Sequence, residues 1–351
     1  MKILIASGIY PPDIGGPAQY ARNLFETWKA EGHEVKVAAY RWERAAPPGL
    51  RHLLYLTKIW RKGWNADLII VLDTWSALVP TMVACRLLGK KYIIRTGGDY
   101  LWEAYVERTG QPVLFKDFYH TKLAFLSGKE KTIFNWSGAG LRNASAVIFS
   151  TNWQKEIFEE AYKLDPKKSY IVENFCGPRL EPVEPDGRSY LASARELKWK
   201  NFASLRTAFK QAQENIRGKG LDPIDLDTGK AMYDNFVERM RRSYCVVLAS
   251  LGDISPNMIF DAIRTGVPFI VTHEIGTKER VKDCAIFVDP LNERDIADKI
   301  AWMADPVNRA AQAAKVQKFS FVHTWEEIAG EIVAVWKKVG GRRAEKASQK
   351  K

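Results

Sequence analysis

Disulfide and metal chemistry have little to work with in this chain. Four cysteines in 351 residues, none of them in a CxxC pair, provide neither a disulfide framework nor a zinc site. Cys85 and Cys245 lie in apolar runs and read as packing residues, which suits a reducing, intracellular setting. Long hydrophobic runs are missing too. None approaches the ~20 residues that span a bilayer, and Met1-Lys2 leads into a short strand rather than the apolar core of a signal peptide. Histidine is scarce, and neither His120 nor His273 has the partner spacing of a metal site or a catalytic triad. No Gly-x-Ser-x-Gly elbow occurs, so hydrolase chemistry is a poor fit. There is no internal repeat.

Acidic residues are outnumbered, 41 against 53 basic ones, for a formal charge of +12. The segment 340–351, expected to be a disordered tail, holds Arg342, Arg343, Lys346, Lys350 and Lys351 against Glu345. Nucleic acid is not the expected partner, because no zinc-finger, helix-turn-helix or RRM signature appears. An anionic membrane or a phosphorylated ligand fits the other motifs better. The expected location is cytoplasmic, either free or peripheral on the cytoplasmic face of the membrane.

Apolar runs at 2–6, 35–40, 67–72, 92–95 and 146–150 read as buried strands with amphipathic segments between them. That alternation predicts an α/β, doubly wound parallel sheet, whose ligands bind at the carboxyl ends of the strands. Gly15, Gly16, Asp73, Asp99 and Thr151 fall at such ends. A second unit is expected from about Ser169, opening with a strand at 170–173. It continues through a strand at 190–194, a helix at about 202–216, and strands ending at Ala249 and Thr272. The expected division is therefore 1–168, 169–323, a final helix over 324–339, and the basic tail.

The segment from Ser250 to Pro268 (SLGDISPNMIFDAIRTGVP) carries the most chemistry. Ser255 suits an N-cap and Pro256 the first helical turn, while Gly266 with Val267-Pro268 ends the helix. Such a helix start turns the amides of Asn257 and Met258 outward, where a phosphate can take them. Asp253 precedes the helix and Asp261 lies one turn beyond Asn257 on the same face. Two carboxylates beside an anion site repel phosphate but accept hydrogen bonds from hydroxyls. A sugar on one side of a diphosphate and a ribose on the other would supply them. A capped helix with two surface aspartates is the alternative reading.

With three other stretches, this segment resembles the family 4 retaining glycosyltransferases, which have the GT-B fold. Their paired-acid pattern is a glutamate, seven residues, a second glutamate, then Ala and Gly-x-Pro. Here Asp253 and Asp261 take the acidic positions, with Ala262, Gly266 and Pro268 in register. Residues 2–23 (KILIASGIYPPDIGGPAQYARN) are similar to the family's opening strand, Gly-Gly loop and helix. Ala194-Arg195 with Lys200-Asn201 is similar to its Gly-Arg…Lys-Gly/Asn pair, and Thr272 to Glu279 to the segment after the second acid. The departures are both aspartates, Ser255-Pro256 in place of Phe-Gly, and Gly97-Gly98-Asp99 where His-Gly is common. Between Lys200 and Ser250 no clear strand carries the expected Val-Gly turn, in a region that often helps to bind the nucleobase.

The resemblance implies two Rossmann-like domains facing a central cleft. The last helix, with Trp325, Ile328, Ile332 and Trp336 at helical spacing, would cross back to the first domain or cap the second. It also implies transfer of a sugar from a nucleotide-diphosphate donor to a glycan or lipid-linked acceptor hydroxyl, with retention and without a metal or other cofactor. Arg195 and Lys200 would steady the departing diphosphate, Asp253 the sugar hydroxyls and Asp261 the ribose. Asn257 and Met258 would offer backbone amides, and Gly15 and Gly16 would face the donor phosphates. An epimerase of the same fold would release a modified nucleotide sugar with no acceptor. A non-catalytic sugar-nucleotide binder would hold the donor without transfer or hydrolysis.

Three further features complete the reading. Asp99, Trp102 and Glu103 sit at a strand end, where carboxylates and an indole face suit a sugar or acceptor. Asp225-Leu-Asp227 has the form of a metal-binding Asp-x-Asp, but it lies in a Pro- and Gly-bounded stretch that reads as a solvated turn. Residues 50–64 read as a helix with Leu53, Leu56, Trp60 and Trp64 on one side and Arg51, Lys58, Arg61 and Lys62 around it. That pattern suits an anionic bilayer surface, or a crossover helix burying its apolar stripe.

Overall fold

A computed structural model of the chain describes residues 1–13, 15–47, 49–192, 196–229 and 233–340. The chain forms two compact units, Met1–Leu101 with Phe125–Asn174 and Thr324–Lys351, and Trp102–Ala124 with Phe175–His323. Both are α/β with parallel sheets.

The first sheet uses β1 (Lys2–Ser7), β2 (Glu34–Ala39), β3 (Leu68–Val71), β4 (Ile93–Thr96), β5 (Ala146–Phe149) and β6 (Ser169–Ile171), in the order β2-β1-β3-β4-β5-β6. β3, β4 and β5 are buried at every residue, as parallel strands covered on both faces must be. β6 corrects the expected start of the second unit. It pairs with β5 through Val147↔Ser169 and Phe149↔Ile171, so the strand expected to open that unit closes the first sheet.

The second sheet runs β11-β10-β9-β7-β8, from β7 (Ser189–Leu191), β8 (Asp225–Asp227), β9 (Cys245–Leu248), β10 (Phe269–Thr272) and β11 (Ile286–Val288). β8 is a second correction, because Asp225-Leu-Asp227 is an edge strand paired with β7 rather than a solvated turn. The unit also takes in Trp102–Ala124, a stretch expected within the N-terminal domain.

The helix Leu50–Gly63 packs on the first sheet through Tyr55, Ile59 and Gly63. The Tyr55 hydroxyl donates to the Ala38 carbonyl at 2.7 Å. The expected apolar stripe is therefore not the buried one: Leu53, Trp60 and Trp64 are exposed, and so are Leu50 and nearby Trp42. Two of the expected surface cations point inward instead. Lys58 pairs with buried Glu43 and donates to the Ala39 carbonyl, and Lys62 donates to the Val37 carbonyl at 2.6 Å. Burial holds the Lys62 ammonium below the usual lysine value.

The helix Trp325–Gly340 belongs to the first unit and buries Ile328, Ala329 and Ile332. Trp28, fully buried in the helix Gly16–Ala30, donates its indole N–H to the Ala329 carbonyl at 3.4 Å. Tyr20 meets Trp325 edge-on at 5.0 Å. Replacing Trp28 by alanine removes the largest of these contacts and leaves a cavity. We expect a loss of about 3–5 kcal/mol, the range for deleting a buried aromatic, read as a lowered urea midpoint by circular dichroism. A loss below about 1 kcal/mol would mean that the closing helix does not depend on this residue.

Candidate active site

The second unit gathers its charged groups at the carboxyl end of β9, where a doubly wound sheet exposes its ligand-binding loops. The loop after β9 is held by backbone hydrogen bonds on both sides. Leu251 N–H donates to the Trp199 carbonyl at 2.9 Å, and its own carbonyl accepts from Phe115 N–H at 3.2 Å. Asp253 N–H donates to the Glu274 carbonyl at 2.9 Å, and the Asp253 carbonyl accepts from Gly276 N–H at 3.1 Å. The loop thus bridges to the segment following β10 at Asp253 and Ile275.

Asp253 and Lys200, two of the residues expected to act together, meet here. Lys200 Nζ lies 2.5 Å from Asp253 Oδ2, with the two side chains only 10% and 14% exposed. Lys200 comes from the short turn Lys198–Lys200, and its ammonium sits 4.2 Å from the centre of the Trp199 ring. Asn201 then takes the left-handed conformation (φ 60°) that starts the helix Phe202–Gly218. Its side-chain amide donates to the carbonyls of Ala249 and Pro290, which ties the lysine turn to β9.

The helix after Asp253 runs Asn257–Thr265, starting one residue later than Ser255 capping predicts. Pro256 stands at the N-cap in extended conformation and, having no side-chain acceptor, supplies no cap of its own. Ile259 N–H reaches the Pro256 carbonyl at 3.0 Å. The amides of Asn257 and Met258 lie in the first turn, where the helix itself provides no acceptor. Asp261 is buried in the same helix and accepts from Arg264 Nη1 at 3.0 Å. Gly266, at φ 74°, closes the helix in the left-handed region as expected.

The other expected residues are distributed as follows. Trp102 is in this unit but is buried, with its indole N–H donating to the Val113 carbonyl at 2.9 Å and its ring against Phe115 and Trp199. Its faces are taken by protein, which corrects the expectation that it stacks on a sugar. Glu103 is half-buried on the helix Tyr100–Thr109. Asp99, buried in the first unit, accepts from Leu101 N–H at 2.9 Å in the manner of a helix cap. Gly15 and Gly16 open the helix Gly16–Ala30 in the first unit, with Gly15 at φ 151° and Pro17 in the first turn. Arg195 lies outside the described residues.

Asp227 accepts from Arg239 through both carboxylate oxygens, so the Asp-x-Asp is already partly neutralised. Among the described residues no group of three or more His, Cys, Asp or Glu is placed to hold a metal ion. The sequence reading missed Glu274, buried beside Asp253 with its carboxylate 2.5 Å from Lys116 Nζ and 2.9 Å from His273 Nε2. An acid just past a parallel strand was a usable signal. Lys116, which is 158 positions away, left none.

Comparison with known proteins bears on the fold and on the kind of activity. Residues 14–177 match Glycosyltransferase Family 4. No curated protein matches the sequence. Among solved structures, HepE of Anabaena, determined with UDP, shares 16% identity at a TM-score of 0.65, covering 96% of this chain and 100% of its own. Sucrose-phosphate synthase of Thermosynechococcus elongatus shares 15% at 0.68, covering 96% and 98%. WaaG, a glycosyltransferase involved in lipopolysaccharide biosynthesis, shares 12% at 0.65, covering 97% and 100%. At these identities the structures speak for the fold alone, and the family match carries the activity. The Glycosyltransferase Family 4 match lies in the N-terminal part of the chain, the whole chain has the GT-B fold of these structures, and the function these findings support is that of a glycosyltransferase.

Proposed function

We propose that this glycosyltransferase works with retention and without a metal, on a nucleoside-diphosphate sugar. The observation that carries the reading is the Lys200–Asp253 pair on the loop that leads into the helix Asn257–Thr265. In this reading Lys200, joined by Arg195, turns to the diphosphate and offsets the charge that develops as it departs. Asp253, released from Lys200, accepts hydrogen bonds from the sugar hydroxyls. Asp261 holds the ribose, and the amides of Asn257 and Met258 receive phosphate oxygens. Gly15 and Gly16 admit the donor phosphates close to the backbone, while Asp99 and Glu103 contact sugar or acceptor. The bond from the anomeric carbon to the diphosphate breaks, and the acceptor oxygen bonds to that carbon on the same face. Its proton passes to the departing phosphate. HepE was solved with UDP and with UDP and glucose, which supports UDP-glucose as the first donor to try.

The test is incubation with a panel of UDP-sugars and sugar or lipid-linked acceptors in excess EDTA, with product configuration read by NMR. Transfer with retention should persist in EDTA, and Asp253→Asn should abolish it while UDP affinity changes less than threefold. Loss of activity in EDTA with recovery in Mn²⁺, or an inverted product, overturns this mechanism. Binding of UDP without transfer or donor hydrolysis would make the chain a sugar-nucleotide binder instead.

We also propose a lipid-linked acceptor at the cytoplasmic face of a membrane, a reading that the helix Leu50–Gly63 supports. Leu50, Leu53, Trp60 and Trp64 recur at helical spacing and stay exposed, with Arg51 and Arg61 beside them and Trp42 and Arg41 on the preceding segment. Indole rings flanked by arginines suit an anionic bilayer interface. Among the described residues no helix is long and apolar enough to cross a membrane. With Lys58 and Lys62 engaged inward, the arginines supply the attraction, at about 1 kcal/mol each. The protein should therefore sediment with phosphatidylserine-containing liposomes and less so at high salt. Changing Arg51 and Arg61 to glutamate should weaken binding at least tenfold, and unchanged sedimentation would reject this surface.

A further inference from the structure

The loop that carries Asp253 is fixed from an unexpected direction. Residues 102–124 precede it by well over a hundred positions, yet they pack in the same compact unit. Their two helices, Tyr100–Thr109 and Phe115–Thr121, touch the loop at successive points. Phe115 N–H donates to the Leu251 carbonyl. A Cβ placed on Gly252 would fall 2.6 Å from Phe115 Cβ and 3.3 Å from the Trp102 ring, so glycine is what lets the helix start approach this closely. The Trp102 ring also leans on Trp199, whose carbonyl accepts Leu251 N–H and whose neighbour is Lys200. Glu107 fixes the far side of the lysine turn, taking Lys198 N–H at 2.7 Å and the Lys198 ammonium on its carbonyl at 2.6 Å.

The last contact is electrostatic. Glu274 is 3% exposed, and its backbone carbonyl holds Asp253 N–H. Its carboxylate is matched by the ammonium of Lys116, itself 44% exposed, at 2.5 Å, with His273 Nε2 at 2.9 Å from the same oxygen. A carboxylate buried to this degree is tolerated only when paired. Its hydrogen bond to the Glu274 carboxylate holds the Lys116 ammonium above the usual lysine value. A raised lysine contributes its stabilisation fully below the ordinary value and loses it only as pH rises through the raised one. The pair is therefore intact throughout the neutral range.

We infer that residues 102–124 form a brace for the catalytic loop, and that Lys116 and Glu274 are positioning residues that set where Asp253 stands relative to Lys200. This rests on the reading that Asp253 acts on the donor sugar. Lys116 acts through Glu274 and its carbonyl, and need not touch the ligand.

Lys116→Met is the direct test, because a half-exposed lysine can be lost without emptying the core. Hydrogen exchange requires no ligand: the variant should speed exchange at least tenfold for amides in 251–255 and at Gly276, leaving β9 and β10 unchanged. With UDP-glucose as probe, kcat should fall tenfold or more while KM and the affinity for UDP move less than threefold. Lys116→Arg should restore at least half of the activity, and Gly252→Ala should reproduce the loop exchange independently. Unchanged exchange in the loop overturns the brace, as does exchange raised across the whole unit. A rise in KM equal to the fall in kcat would make Lys116 a ligand contact and refute positioning. If the wild type fails to turn over UDP-glucose, the donor reading fails, while the exchange result still decides the brace.

Discussion

The Lys200–Asp253 ion pair is the constraint around which the second unit is built. Two opposite charges 2.5 Å apart, with side chains mostly shielded from water, attract one another by several kcal/mol even at the effective dielectric of a protein surface. Neither could be kept there alone, since an unpaired buried charge costs more than the empty fold can spare. Each residue therefore neutralises the other until something better arrives. A nucleoside-diphosphate sugar carries both replacements in one molecule, anionic oxygens for the lysine and hydroxyls for the aspartate. In the proposed reaction the exchange converts a structural pair into a reactive one without creating an isolated charge.

Holding that pair in place explains features that otherwise look unrelated. Asn201 adopts a left-handed backbone and gives its amide to the carbonyls of Ala249 and Pro290, so the lysine turn and the end of β9 move together. Asp253 is bonded through both its N–H and its carbonyl to the segment after β10. The strands β9 and β10 are buried at every residue, which makes them a rigid base for the loops they project.

Much of this was legible in the sequence because parallel strands announce themselves. Runs such as Leu68–Val71, Ala146–Phe149 and Cys245–Leu248 are continuously apolar, and the loops after them carry the glycines and acids. The ion pair of Lys200 with Asp253 was not legible: the family resemblance implied only that both serve one donor, and 53 positions separate them. Three readings failed for a common reason, namely that local pattern does not specify tertiary partners. The strand at Ser169–Ile171 was taken from the first sheet because nothing in its own residues names β5 as its neighbour. Trp102 looked like a sugar platform until Phe115 and Trp199 closed over its ring. Lys58 and Lys62 looked solvated because neither Glu43 nor the carbonyls of β2 are adjacent in sequence. The helix Asn257–Thr265 was right in kind and late by one residue, since proline can stand either at the cap or just inside it.

In the proposed reaction, the aspartate at residue 253, where the resembled pattern has a glutamate, connects these observations. A glutamate reaches one carbon–carbon bond further, about 1.5 Å, and has an additional torsion with which to correct a misplaced loop. An aspartate has no such slack, so its carboxylate goes where the backbone puts it. Catalytic groups must be held to within about 0.5 Å of their productive position, and a displacement of about 1 Å can cost a hundredfold in rate. The shorter acid, in the role proposed for it, therefore calls for a tightly held loop. Here the loop is bonded to Trp199, Phe115, Glu274 and Gly276, with a glycine at 252 that permits the closest approach. The shorter side chain and the braced loop are two sides of the same geometric requirement.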